Sequence, residues 1–203
     1  MYKGKGLSLD TIVETAEQLT VEKGFGNFST RDIAQRLDVR AASLYNHTSG
    51  IEQVSRRIGE RAAVRLNTEL TEAIEGKQGA EALSALAYAY RAFAEKNPEL
   101  YRAIMGRPSM ADSPELQQVA RESFLPIRTV VDQYGLPRAT GIHFARCFRS
   151  ALHGFVTFQD SGYFTGRSAE AEESFRFLIR GYANWLEALS QKEQISNTTA
   201  EKE

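Results

Sequence analysis

Ser29-Thr30-Arg31-Asp32-Ile33-Ala34-Gln35-Arg36-Leu37-Asp38-Val39-Arg40-Ala41-Ala42-Ser43-Leu44-Tyr45-Asn46-His47 is the stretch that decides the fold. Ser29 and Asp32 have capping-box-like spacing, with Asp in place of the usual Glu. Ile33, Ala34 and Leu37 supply a short buried face. The spacing leaves about two helical turns before Asp38-Val39-Arg40. A third short helix is then expected from Ala41 to His47. Two short helices joined by a tight turn are the helix-turn-helix arrangement.

Working outward, the segment before it starts a helix at Ser8. Ser8 can cap free amides, Asp10 favours the positive helix end, and Leu7 can staple onto Ile12. Leu9, Ile12, Val13, Ala16 and Leu19 form one apolar stripe, and Gly24 is a natural stop. On the other side Thr48-Ser49-Gly50 breaks the pattern. A long helix is expected from Ile51 to Glu75, with Ile51, Val54, Ile58, Ala62, Leu66, Leu70 and Ile74 facing inward. Gly76-Lys77-Gln78-Gly79 is the next break. Helices then read at Ala80–Lys96, Pro98–Met105, Pro114–Tyr134, Ala139–Asp160 and Ala169–Ser190. Asn97-Pro98 and Ser113-Pro114 each place a capping residue before a proline at the first helical position. Pro126 should kink or split its helix.

The expected fold is all-α. An N-terminal three-helix helix-turn-helix domain, residues 1–50, is joined by the long helix to a helical bundle, residues 51–190. The polar residues 191–203 lack an apolar stripe and are expected to fray.

The segment Ile12 to Val54 resembles the DNA-binding domain of the tetracycline-repressor (TetR) family. The resemblance is carried by Ile12, Ala16, Leu19, Gly24, Phe25, Ser29, Thr30, Arg31, Ile33, Ala34, Leu37, Val39, Ser43, Leu44, Tyr45 and His47. It implies a DNA-binding transcription regulator, most often a repressor that a small-molecule inducer releases from a palindromic double-stranded DNA operator. Further on, Asn97-Pro98-Glu99-Leu100-Tyr101 and Leu152-His153-Gly154-Phe155 look like segments of one branch of such effector domains, although Arg149 stands where that branch carries Trp. Three other departures are Asp38 for Gly, Thr48 for an aromatic or apolar residue, and Ile51 for a phosphate-contacting Lys. Asp tolerates left-handed backbone better than most residues. The Thr48 and Ile51 departures keep a second reading open, a helical binding protein with lost or weak DNA recognition that acts through protein partners. A DNA-binding activator is a third.

A recognition helix needs short or hydrogen-bonding side chains at its exposed N-terminal end. Arg40, Ala41, Ala42, Ser43 and Asn46 fit, with Leu44 as the inward anchor. Arg40 suits guanine, Asn46 adenine, and Ala41 or Ala42 a thymine methyl. Thr30 and Arg31 lie where a helix points its free amides at phosphate. The resemblance assigns Tyr45 and His47 to the DNA backbone. Lys3 and Lys5 can form an arm along the DNA. Without the motif, Arg31 and Arg40 would read as solvated charges and Tyr45 as a packing residue.

Bulk charge contributes nothing to this reading. The 203-residue chain carries a net charge of -1, and residues 1–60 hold eight basic and eight acidic groups. The case rests on local arrangement.

One helix-turn-helix covers few base pairs, so a homodimer is expected, with two recognition helices about one DNA turn apart. The last two helices are the candidate interface, through Phe144, Phe148, Ala151, Phe155 and Phe158, and through Phe175, Leu178, Ile179, Tyr182, Trp185, Leu186 and Leu189. The resemblance implies a four-helix bundle with the partner there. An intrachain core must claim some of these residues. The middle of the chain offers Tyr88, Tyr90, Phe93, Tyr101, Met105, Met110, Phe124, Phe148 and His153. Of these, Tyr88, Phe93, Tyr101, Met105, Phe124, Phe148 and His153 are the candidate ligand-binding residues. Core packing explains most of them equally well. The long helix Ile51–Glu75 is the expected route from ligand to DNA-reading head.

No phosphate loop, nucleophile elbow or metal cluster is legible. His143 and Cys147 stand one turn apart, too few ligands for a site. The chain reads as non-enzymatic and without a cofactor. The single cysteine, the absence of a signal-like start and the absence of a spanning apolar run make a cytoplasmic protein without membrane contact the expectation.

Overall fold

The computed structural model describes residues 6–106, 125–165 and 170–200, with the side chains of 196–200 excepted. The chain divides into two compact units.

The first unit comprises the described residues of Met1–Leu66 and Lys96–Ala120. Its first helix, α1 (Leu9–Lys23), starts where Ser8 Oγ accepts from the Thr11 amide at 3.2 Å and ends at Gly24. Thr11, Ile12, Val13, Ala16 and Leu19 are buried. Helix α2 (Thr30–Leu37) has both halves of the capping box. The Asp32 amide donates to Ser29 Oγ, and the Ser29 amide donates to Asp32 Oδ2 at 2.8 Å. It ends on Asp38, the one described non-glycine residue with positive φ (57°). The Val39 amide donates to the Ala34 carbonyl and the Asp38 amide to that of Gln35, which is the Schellman arrangement usually closed by glycine.

Helix α3 (Ala41–Leu44) is shorter than the expected Ala41 to His47. After Leu44 the chain tightens. The His47 amide reaches back three residues to the Leu44 carbonyl, which also accepts from Thr48. Thr48, which follows, is only 5% exposed. Its hydroxyl donates to Gln53 Oε1 at 2.8 Å, and the same oxygen accepts from the Ser49 amide at 2.7 Å. A buried threonine here therefore organises the start of α4 (Ile51–Ile74).

Helix α4 extends past Leu66 into the second unit. Helix α6 (Pro98–Met105), by contrast, belongs to the first unit and packs on α1, burying Leu100, Tyr101, Ala103 and Ile104. The sequence reading placed both α6 and all of α4 in one effector domain beginning at residue 51. Asn97 precedes α6 as expected, but its side chain makes no capping bond.

The second unit holds the described residues of Asn67–Glu95 and Arg121–Glu203. It contains the end of α4, α5 (Gly79–Lys96) up to Glu95, α7 (Leu125–Asp132), α8 (Arg138–Asp160) and α9 (Ala171–Ala200). Pro126 lies at the start of α7, where a missing amide is not needed. The expected helix start at Ser113-Pro114, with Met110 and Phe124, lies outside the described residues. Helix α7 packs on α8 closely enough that a Cβ on Gly141 would lie 3.3 Å from Val131. Helices α8 and α9 meet through Phe144, Phe148, Tyr182 and Trp185, with ring centroids 5.0–5.7 Å apart across the pair.

Helix α9 does not stop at Ser190 but runs to Ala200, where a frayed tail was expected. Gln191-Lys192-Glu193-Gln194 contains good helix formers and no breaker. The Ser190 hydroxyl also ties the helix to the Tyr134 carbonyl at 2.8 Å. Among the described residues no helix is long and apolar enough to cross a membrane.

Candidate nucleic-acid interface

The helix-turn-helix stands on Leu44, which is wholly buried. Around it Arg40, Ala41, Ala42, Tyr45, Asn46 and His47 are exposed, and Ser43 is half-buried. The arrangement follows from the short length of α3: one inward residue per turn leaves the rest facing out. Thr30 is half-buried and Arg31 exposed at the start of α2. The Ser29 hydroxyl caps the Asp32 amide, so the amides of Thr30 and Arg31 remain for another acceptor, for which a phosphate oxygen is suited. Lys3 and Lys5 lie outside the described residues.

Charge pairing sorts the basic groups of a neutral head. Lys23 pairs with Asp32, and Arg36 with Glu22 through two bonds of 3.0 and 2.5 Å. Arg57 lies 3.0 Å from Glu60, and Arg65 2.8 Å from Glu17. Among the described residues Arg31 and Arg40 have no carboxylate partner. Two guanidinium groups without a carboxylate partner therefore stand at the starts of α2 and α3. The neighbouring carboxylates are held ionised. Hydrogen bonds from Lys23 and Ser29 hold the Asp32 carboxyl far below the usual carboxylate range. The Arg36 guanidinium lowers that of Glu22.

The described candidate ligand residues fall in both units. Phe93 and Phe148 are core residues, fully enclosed in the second unit. Tyr101 is buried and Met105 exposed in the first unit. His153 is half-buried, 3.5 Å from the Thr157 hydroxyl, and its pKa is lowered by burial and then by Arg149. Phe124 lies outside the described residues. Tyr88 lines a groove of about 290 Å³ between α5 and α9, with Ser84, Arg176, Arg180, Asn184 and Glu187. Its phenol donates to Glu172 at 2.9 Å, and burial raises its pKa. Periodic aromatic residues do not distinguish a pocket from a core, which is why the arginines of this groove had no signal in the sequence.

The faces of α8 and α9 also divide. Phe144, Phe148, Phe155, Phe175, Ile179 and Leu186 are buried within the chain itself. The large apolar side chains facing out are Phe177 (70% exposed), Ile195 (69%), Phe158 (52%) and Trp185 (44%). Gly154 and Gly181 have open space where a Cβ would be, and Cys147 is exposed on α8.

Two structural contacts had no signal in the sequence. One is the Thr48–Gln53 bond that starts α4. The other is Glu99, whose carboxylate accepts from the Phe25 amide at 2.7 Å across 74 residues of chain.

Residues 12–58 match the sequence model described as "Bacterial regulatory proteins, tetR family". Residues 83–182 match the one described as "Tetracyclin repressor-like, C-terminal domain". An uncharacterised helix-turn-helix transcriptional regulator of Mycobacterium tuberculosis is 31% identical over 156 residues, 77% of this chain and 72% of that protein. An uncharacterised regulator of the same type from Bacillus subtilis, YobS, is 26% identical over 89% of this chain and 93% of its own. Among solved structures, a Rhodococcus protein of unknown function superposes with a TM-score of 0.75 at 19% identity, covering 91% of this chain and 97% of that one. Apo ActR of Streptomyces coelicolor gives 0.68 at 18% identity, covering 94% and 99%.

Proposed function

The chain belongs to the TetR family of transcriptional regulators, DNA-binding proteins and not enzymes, and from that membership we propose that it is a homodimeric repressor that a small molecule releases from a palindromic operator. The observation that carries the DNA-reading part is the pair of unneutralised guanidiniums at the starts of α2 and α3, Arg31 and Arg40, with an exposed α3 anchored by Leu44. In this reading Arg40, Ala41, Ala42, Ser43 and Asn46 meet base edges. Thr30, Arg31, Tyr45 and His47, with Lys5, meet phosphate. The dimer forms through α8 and α9, using Phe158, Phe177 and Trp185. The protein acts in the cytoplasm, and the α5–α9 groove is where an inducer is sought first.

Selection of bound sequences from a random DNA pool, at two salt concentrations, tests it. A dimeric reader enriches one palindrome with half-sites about one DNA turn apart. Arg40→Ala then relaxes one position in each half-site, at a cost of about 1–3 kcal/mol. Weak, salt-sensitive binding without enrichment would favour a protein that works through partners instead. Transcription in vitro from a promoter overlapping the selected site separates repressor from activator.

A further inference from the structure

A DNA-reading head is useful only if the angle between its helices is held. The connection from α1 to α2 fixes little by itself, because Gly24 (φ 93°) and Gly26 (φ 83°) both lie in the left-handed region. Its internal bonds are modest: the Asn27 amide reaches the Gly24 carbonyl at 3.2 Å, and the Asn27 side chain reaches the Lys23 carbonyl at 3.2 Å. What grips it from outside is α6. Glu99 Oε2 accepts from the Phe25 amide at 2.7 Å, while the other carboxylate oxygen is held by Arg102. At the far end of α6 the Phe25 ring lies over Gly106, where an added Cβ would come within 2.8 Å of it. Phe25 is thus held by its amide at one end of α6 and by its ring at the other.

We propose that Glu99 is a positioning residue for DNA recognition: by holding the Phe25 amide it fixes how α2 leaves α1, and it ties operator affinity to the placement of α6. The proposal rests on the DNA-reading function and adds a route to the head that does not pass along α4. A charge-assisted bond to a backbone amide is strong and directional. Without it the glycine-rich connection samples other angles, and apparent DNA affinity falls with the fraction of heads that remain competent.

The test uses the full-length chain and the selected operator. Glu99→Leu keeps the bulk and removes the acceptor. It should bind roughly tenfold more weakly, the loss expected of one charge-assisted bond. Glu99→Gln keeps an acceptor and should stay near the wild type, as should Arg102→Ala, which spares the bond to Phe25. Hydrogen exchange at the Phe25 amide should quicken in Glu99→Leu alone. Thermal melting of each variant shows that folded proteins are being compared. Wild-type affinity in a folded Glu99→Leu would overturn the proposal, as would Glu99→Gln losing as much as Glu99→Leu. If the wild type selects no DNA sequence, the DNA-reading conclusion fails instead. Exchange at Phe25 then decides the clasp, and an unchanged rate in Glu99→Leu overturns it.

Discussion

Asp38 is strained so that a turn can close. It holds φ 57° with a side chain attached, a region that costs most residues about 1–2 kcal/mol and Asp less. Asp38→Gly should therefore raise stability by about 0.5 kcal/mol, after the entropy that glycine adds to the unfolded chain. Asp38→Val should lower it by about 1–2 kcal/mol. Denaturant titration of both variants checks the sign. The sequence already pointed to this turn, because the need is local and Asp is among the few residues that accept it. It also pointed to Leu44, Arg40 and the other exposed residues of α3. Thr48 was not legible. Its hydroxyl replaces an apolar contact with bonds to Gln53 and Gly50, and residue type alone gives no sign of that exchange. Gln53→Ala should accordingly lower the melting temperature, since it leaves a buried hydroxyl with one partner fewer.

At the scale of elements, helix starts were readable where the cap is an i to i+3 affair, as at Ser8 and Ser29. Helix ends were less so, as α3 and α9 show, because they depend on what else the backbone can bond. The membership of α6 was not readable, since its grip on Phe25 spans 74 residues of sequence. The α1–α2 pairs carry a pH dependence. Their carboxyl groups, Glu22 and Asp32, have pKa values depressed by folding. A depressed acid stabilises the fold above the ordinary carboxylate range, about pH 4, and loses that contribution as the pH falls through its folded value. The melting temperature should therefore drop on acidification below about pH 4. Asp32→Asn should flatten part of that drop while costing stability near neutrality. Both carboxylates are near the surface, so salt should weaken the effect.

For the whole molecule, periodicity alone gave an all-α chain with a small head and a larger bundle. It could not divide the aromatic residues of α8 and α9 between the chain's own core and a partner, because both uses share the helical period. Burial divides them. Phe177→Asp places a charge on the outward face without touching the core, and Trp185→Asp does so while giving up the indole's packing on Phe144; with the pairing through α8 and α9 proposed above, each should yield a folded monomer in sedimentation. Each should also lose most operator affinity, since two half-sites are then read independently.

Cys147 adds something of practical use. It is the sole thiol of the chain and lies exposed on α8, so every copy carries one natural attachment point for a maleimide dye. If α8 and α9 pair with a second copy as proposed, labelling should be rapid in the two monomeric variants and slow in the wild type at high protein concentration, because the pairing would cover the sulfur on α8. The rate of that reaction becomes a clock for assembly, read without mutating any cysteine.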